Sequence, residues 1–335
     1  MTPNATPLRT LSVGGAAYDL FVRVEPTVTE KNGHEVIELP VGSKVQINDV
    51  HETCGGGAAN TSTGLQRLGL SARFCGIVGS DKWGERMLET LRAEGIDTTG
   101  ATMIDDEMTG FSVILLLPNG ERTILHHAGT NSHLHDVTFD RDALKMVDAV
   151  YLNRLSDDAC VIQDDIVGML INRPQLHLTW NPGGCQITEG MRHKDAAALL
   201  KVTNLLLLNK EEAMTFTGAS DIRSALKMLI DAGAQHVIIT DGKEGAYGAE
   251  HTGITHMGSR TDITPIDTTG AGDAFGSAAT WALLTGHPLP FALKAGTLNA
   301  ASVVCAIGAQ AGLLTDTEIN LALRDISLPE THHPW

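Results

Sequence analysis

At residues 270–273 the chain reads Gly-Ala-Gly-Asp, and a helical pattern starts at once, with Phe275, Ala278, Ala279, Ala282 and Leu283 at three- and four-residue spacing before Gly286. That spacing puts Asp273 in the first turn of a helix that stops at the glycine. An acid there complements the helix dipole, which could by itself account for its presence. A capping box could not, because Gly270 stands where the motif needs Ser or Thr. Gly270, Ala271 and Gly272 carry almost no side chain, so their amides are open to an anion. The sharper reading is a phosphate-sized site with a carboxylate at its edge.

A second glycine cluster, "CGGGAANTSTGLQRLG" at 54–69, also opens a helix. Gly55, Gly56 and Gly57 permit close approach of a ligand, or equally of a packed neighbour. Asn60 offers both a donor and an acceptor to hydroxyl groups. The glycines are not a dinucleotide fingerprint: "GAGDAFG" has the wrong spacing, and no Asp or Glu occurs between Asp273 and Asp316 to hold a ribose. No Gly-Lys-Ser or Gly-Lys-Thr is present, which removes the Walker loop. His126, His127, His133 and His135 lack zinc-site spacing and read as solvent or dimer contacts.

Six short apolar runs, "LSVGG", "RFCGIVG", "AVYLN", "LHLTWNP", "NLLLLN" and "HVIITDG", are separated by helical stretches such as "GERMLETLRAEG" and "IRSALKMLIDAG". This alternation predicts a largely parallel sheet with helices on both faces. Residues 20–53 and 110–128 break the rhythm with strand-like patterns. The second reads as a hairpin turning at Asn119 and Gly120. Together they suggest a small separate sheet, either a lid or dimer surface or a decorated sheet edge.

The chain has 335 residues, 42% of them hydrophobic, enough for a large buried core. A net charge of −16 argues against nucleic acid or an anionic membrane as partner and favours small molecules. Five scattered cysteines (Cys54, Cys75, Cys160, Cys185, Cys305) fit free thiols in a reducing compartment. The first residues lack a signal-peptide pattern, so the expected location is the cytoplasm. The uncharged stretch from Ala295 to Thr315 holds Asn299, Gln310 and several glycines, and reads as buried helix and turn.

"GGGAANTSTGLQRLG" and "DTTGAGDAFGSA" resemble the paired signatures of the ribokinase-like (PfkB) carbohydrate and nucleoside kinases. "VGGAAYD", "GIVGSDKWG", "GTN", "WNPGG", "NKEEA", "ITDGKEGAYG" and "IGAQ" follow in the family's order, covering nearly the whole chain. The resemblance implies a single three-layer α/β/α domain over 1–335, with a mostly parallel central sheet and β-lid segments at about 20–53 and 107–128. It implies an ATP-dependent kinase acting on a primary hydroxyl of a small sugar, or of a nucleoside in the alternative. A non-catalytic sugar- or nucleotide-binding relative is a lesser alternative.

By the same resemblance Asp273 is the general base, and Gly270, Ala271 and Gly272 form the anion hole. Asp19, Gly55, Gly56 and Asn60 match the acceptor-binding region. Asn209, Thr240, Gly242, Gly245 and Asn299 match the nucleotide region. Glu212 would help Asn209 hold Mg²⁺ and phosphates through water, and Asp267 and Thr269 match positions contributing to a K⁺ site. A homodimer through the lid strands is also implied. Ribokinase itself resembles N-x-D where this chain has Ala17-Tyr18-Asp19, and has Lys where this chain has Gly57. Both departures count against ribose as acceptor, and only 14 aromatic residues (Phe 7, Trp 4, Tyr 3) are available to stack a nucleobase.

Overall fold

A computed structural model describes residues 6–25, 27–31, 34–47, 49–117, 122–134, 141–155, 167–170 and 172–335. The six apolar runs supply six parallel strands, β1 (Arg9–Val13), β6 (Ser71–Cys75), β11 (Ala149–Leu152), β12 (His177–Trp180), β13 (Leu205–Asn209) and β14 (His236–Thr240), in the order β6-β1-β11-β12-β13-β14. Three antiparallel strands continue the sheet beyond β14: β15 (Ala246–Glu250), β16 (Gly253–Met257) and β17 (Glu330–His333). These edge strands are not apolar runs, and every residue of β17 is exposed.

Alternation along the strands sends side chains to opposite faces, and both faces are covered. Leu206, Leu208 and Val150 pack with Leu199, Phe216 and Leu229 of helices Lys194–Leu200, Lys210–Thr217 and Ile222–Asp231. On the other face Leu205, Leu207 and Tyr151 pack with Leu65 of α1 (Gly57–Arg67) and with the helices Ala271–Leu284 and Leu289–Val303. The result is three layers, helix, sheet and helix. The Ala295–Thr315 stretch lies partly in the Leu289–Val303 helix, and no described helix is long and apolar enough to cross a membrane.

A second sheet of four strands runs β10 (Arg122–His127), β9 (Gly110–Leu116), β2 (Ala17–Arg23), β5 (Asp49–Gly55). β9 and β10 pair antiparallel with Leu116 opposite Arg122; the expected turn residues Asn119 and Gly120 lie outside the described residues. β3 (Thr27–Lys31) and β4 (His34–Glu38) form their own hairpin. One face of the four-stranded sheet places Phe21, Ile114 and Leu116 together against Ile307. Polar residues on that same face point towards the loops at the carboxyl edge of the main sheet.

The close fit of helix on sheet is set by two glycines. A Cβ at Gly64 would fall 2.4 Å from the Ser277 hydroxyl, so α1 and the Ala271–Leu284 helix touch along their backbones. A Cβ at Gly276 would fall 2.0 Å from the hydroxyl of Tyr151, which is buried without a hydrogen-bond partner among the described residues. Gly276→Ala should lower stability by about 1–3 kcal/mol despite alanine's higher helix propensity. Adding Tyr151→Phe removes the colliding, unpaired hydroxyl and should recover most of that loss, as measured by urea denaturation.

Candidate active site

The triple glycine before α1 is explained first by packing. A Cβ at Gly55 would lie 2.1 Å from Asp19 Oδ2, one at Gly56 2.6 Å from the Gly15 carbonyl oxygen, and one at Gly57 2.9 Å from Asn153 Oδ1. Asn153, just beyond β11, donates to Val13 O and to Thr61 Oγ1, which brings the start of α1 to the carboxyl edge of the main sheet. Asn131 of the "GTN" stretch clasps Ala16 through its backbone N–H and C=O at 2.9 and 2.7 Å. Gly55 is thus the residue that lets Asp19 lie close against the entry to α1.

Asp19 on β2 stands opposite Thr53 on β5 and Ser112 on β9, and Ser112 stands opposite His126 on β10. Residues directly opposite share a face, so Thr53, Asp19, Ser112 and His126 form a polar row across the second sheet. Asp19 is buried, and burial raises its carboxyl to about 6; the Ser112 hydroxyl opposes this and nearby Asp267 adds to it. Thr53 faces the 307–310 turn, where a Cβ at Gly308 would lie 2.7 Å from its Cγ2.

Asp273 lies in the first turn of the Ala271–Leu284 helix, and its Oδ2 accepts a 2.8 Å hydrogen bond from Asn60 Nδ2. Burial raises its carboxyl to about 6, with the Asn60 bond pulling the other way. Gly270 caps the helix at φ 76°, a left-handed conformation that glycine adopts without strain, and a Cβ there would strike Ala309. Among the described residues nothing lies within 4 Å of the position a Gly272 Cβ would occupy. The first amides of a helix have no intrahelical acceptor and carry its positive end, so this open turn can receive an anion beside a carboxylate.

Asp267 orders the preceding loop. It accepts from Thr269 N and Oγ1 at 2.9 and 2.7 Å and from Gly308 N at 2.9 Å. Arg122 of β10 donates to Thr268 Oγ1, and its Nε is buried without a partner among the described residues. The second sheet thereby brings a guanidinium to the anion loop. No local pattern marks Arg122 in the sequence; only the β9–β10 hairpin carries it there. Arg154, exposed just after Asn153, lies in the electrostatic neighbourhood of both His126 and Glu212.

Asn209 and Glu212 form a reciprocal capping box at the start of the Lys210–Thr217 helix: Asn209 Oδ1 accepts from Glu212 N at 2.8 Å, and Glu212 Oε2 accepts from Asn209 N at 2.9 Å. Thr240 is the register partner of Asn209 at the carboxyl ends of β14 and β13. Gly242 has open space around it, whereas a Cβ at Gly245 would lie 2.1 Å from the Met257 carbonyl oxygen. Asn299, matched above to the nucleotide region, lies in the Leu289–Val303 helix. It is fully buried, with Nδ2 donating to Ala274 O at 2.7 Å and Oδ1 accepting from Leu314 N at 2.9 Å, so its amide ties the site's helix to a following loop. Among the described residues no group of three or more His, Cys, Asp or Glu is arranged to hold a metal; His135 and Cys160 lie outside them.

Comparison with known proteins identifies the family and the fold. The profile of the pfkB family carbohydrate kinases matches residues 26–316. A ribokinase from Haemophilus influenzae is 28% identical over 297 residues, covering 86% of this chain and 94% of the relative. Among solved structures, Arabidopsis thaliana ribokinase complexed with ribose and ATP superposes with a TM-score of 0.77 at 21% identity, covering 96% of this chain and 100% of that one. A Burkholderia thailandensis nucleoside kinase in complex with inosine gives 0.76 at 19% identity, covering 94% and 97%. The chain belongs to the pfkB family of carbohydrate kinases and has the ribokinase-like fold, and membership of that family implies ATP as co-substrate.

The raised carboxyl at Asp273 has a consequence for stability. Because the folded protein holds this proton more tightly than the unfolded chain, its contribution to stability falls as pH rises from near 4 to about 6. Asp273→Asn, which cannot ionise, should gain stability relative to wild type across that interval and hold the gain above it. Denaturant titrations from pH 4 to 7 measure the difference; a constant offset would contradict the assignment.

Proposed function

We propose that the protein transfers the γ-phosphate of ATP to a primary hydroxyl of a small sugar or sugar-like acceptor. The observation that carries this reading is a carboxylate held by Asn60 at the open amino end of a helix. Asn60 occupies Oδ2, leaving Oδ1 to take the proton of the attacking hydroxyl. The amides at 270–272 lie where negative charge on the transferring group would collect, and Arg122 adds a cation at Thr268. Phosphoryl transfer depends more on alignment and charge neutralisation than on covalent help from the protein, which suits this set of groups.

Asp19, with the row Thr53, Ser112 and His126, provides donors and acceptors for acceptor hydroxyls. Gly55 and Gly56 support that ledge through packing, which makes their role indirect. Thr240, Gly242 and Gly245 border the nucleotide side. When bound with ATP, Mg²⁺ would neutralise phosphate charge. The residues present fit water-mediated attachment, because the capping box engages only Oε2 of Glu212 and leaves its Oε1 available beside Asn209. Asp267 accepts two hydrogen bonds from Thr269 in its own loop and one from Gly308 in the 307–310 turn, and would order these segments for a K⁺ ion alongside Thr269. The second sheet acts as a lid in this reading. Its exposed Ile124 and Leu125, with Val50, support a homodimer through the same strands.

A nucleoside acceptor is the second reading, favoured by the fold's likeness to the inosine-bound nucleoside kinase. ADP release from ATP and Mg²⁺, with and without K⁺, across pentoses, hexoses, sugar acids, sugar phosphates and nucleosides separates the two. The proposal expects release stimulated by a sugar class, and Asp273→Asn should lower kcat by about 10²- to 10⁴-fold while ATP still binds by calorimetry. Stimulation by nucleosides alone would move the assignment to the second reading. Binding of an acceptor without any turnover would overturn catalysis.

A further inference from the structure

Asn60 is the middle member of a longer chain of hydrogen bonds. Its Nδ2 donates to Asp273 Oδ2 at 2.8 Å, and its Oδ1 accepts from Gln310 Nε2 at 3.1 Å. The Gln310 carbonyl accepts in turn from Arg67 at 2.7 Å, and Arg67 is held by Glu94 through its Nε at 3.0 Å and a second bond at 2.5 Å. Asn60 and Arg67 are seven residues apart on α1, two turns along one face. The turn carrying Gln310 is therefore fastened to α1 at both places. It is fastened to the helix of Asp273 as well, because Asn299 bridges Leu314 N and Ala274 O.

An asparagine side chain has one donor end and one acceptor end, and rotating the amide by half a turn exchanges them. Asp273 when ionised only accepts, so it requires the NH₂ end. The side-chain nitrogen of Gln310 only donates, so it requires the carbonyl end. We infer that Gln310 is a positioning residue for the transfer reaction: by donating to Asn60 Oδ1 it locks the Asn60 amide with its NH₂ on Asp273 Oδ2, which leaves Oδ1 of the base free for the acceptor hydroxyl. This rests on Asp273 being the general base.

The surroundings of Asp273 make that single donor important. Among the described residues α1 places Asn60 on it, the buried Tyr151 hydroxyl of β11 lies within reach of its charge, and the 307–313 turn reaches it only through Gln310 on Asn60. β10 brings Arg122 to Thr268, five residues earlier in the chain, and Asp267 spends its carboxylate on Thr269 and Gly308. The hydrogen bond from Asn60 opposes the effect of burial on this carboxyl. A reversed Asn60 amide would turn an oxygen towards the carboxylate and withdraw the bond that favours ionisation.

Gln310→Glu is close to isosteric and replaces the donor with an acceptor, so Asn60 should turn its NH₂ away from Asp273. The acid limb of the kcat/KM–pH profile should then move up by about one unit or more, and kcat at pH 7 should fall roughly 10- to 100-fold with the KM for ATP little changed. Gln310→Met, which removes the donor without adding charge, should shift the same limb less, and it serves as the readout if the first variant fails to fold. An unshifted limb in a folded variant, with Asp273→Asn inactive, would overturn the relay and leave the base assignment standing. Turnover surviving in Asp273→Asn would overturn the base assignment, and the relay with it.

Discussion

A parallel sheet cannot leave a face in water, and its strands must be joined by segments that return across the faces. That constraint governs this molecule. Covering the sheet formed by β6, β1, β11, β12, β13 and β14 with helices puts apolar side chains on both faces, and it brings helix amino ends to the carboxyl edge. α1 reaches that edge through Asn153, and the Ala271–Leu284 helix reaches it beside α1. Two helices that had to lie close to bury Leu65, Phe275 and Leu207 also present their first turns to each other.

The amino ends carry partial positive charge in a protein whose net charge is −16. An acidic surface is compatible with the proposed phosphate site because the relevant field is local: the amino end of the Ala271–Leu284 helix and the Arg122 guanidinium at Thr268. The acids that do occur there are individually restrained. Asp267 is engaged by Thr269 and Gly308, Asp241 pairs with Lys210 at 2.8 Å, and burial raises Asp19 and Asp273 to about 6. A carboxyl tuned to that value is ionised at neutral pH yet remains basic enough to accept a proton from a hydroxyl in the transition state.

Amides carry much of the remaining organisation. Asn60, Asn131, Asn153, Asn299 and Gln310 each join segments separated in the chain, and three of them, Asn60, Asn131 and Gln310, lie within the family's motifs. A buried amide needs partners for both ends, so each one specifies the relative placement of two backbones. Asn299 illustrates the effect. Its two bonds, to the Ala274 carbonyl and from the Leu314 amide, seat the helix that carries Asp273.

Much was legible from residue order alone, because the signals were local. Apolar runs of strand length, helical periodicity and glycine before an acid named the six parallel strands, the helix of Asp273 and the open turn in front of it. Strands β15 to β17 escaped because they form no apolar run: β15 reads Ala-Tyr-Gly-Ala-Glu, and the edge strand β17 reads Glu-Thr-His-His. What only the tertiary structure decided was which distant groups meet: Gly55 against Asp19, Arg122 at Thr268, the row from Thr53 to His126, and Gln310 on Asn60. Periodicity reports what a segment buries, whereas these meetings depend on sheet register and helix packing between residues up to 250 positions apart, for which no local pattern exists.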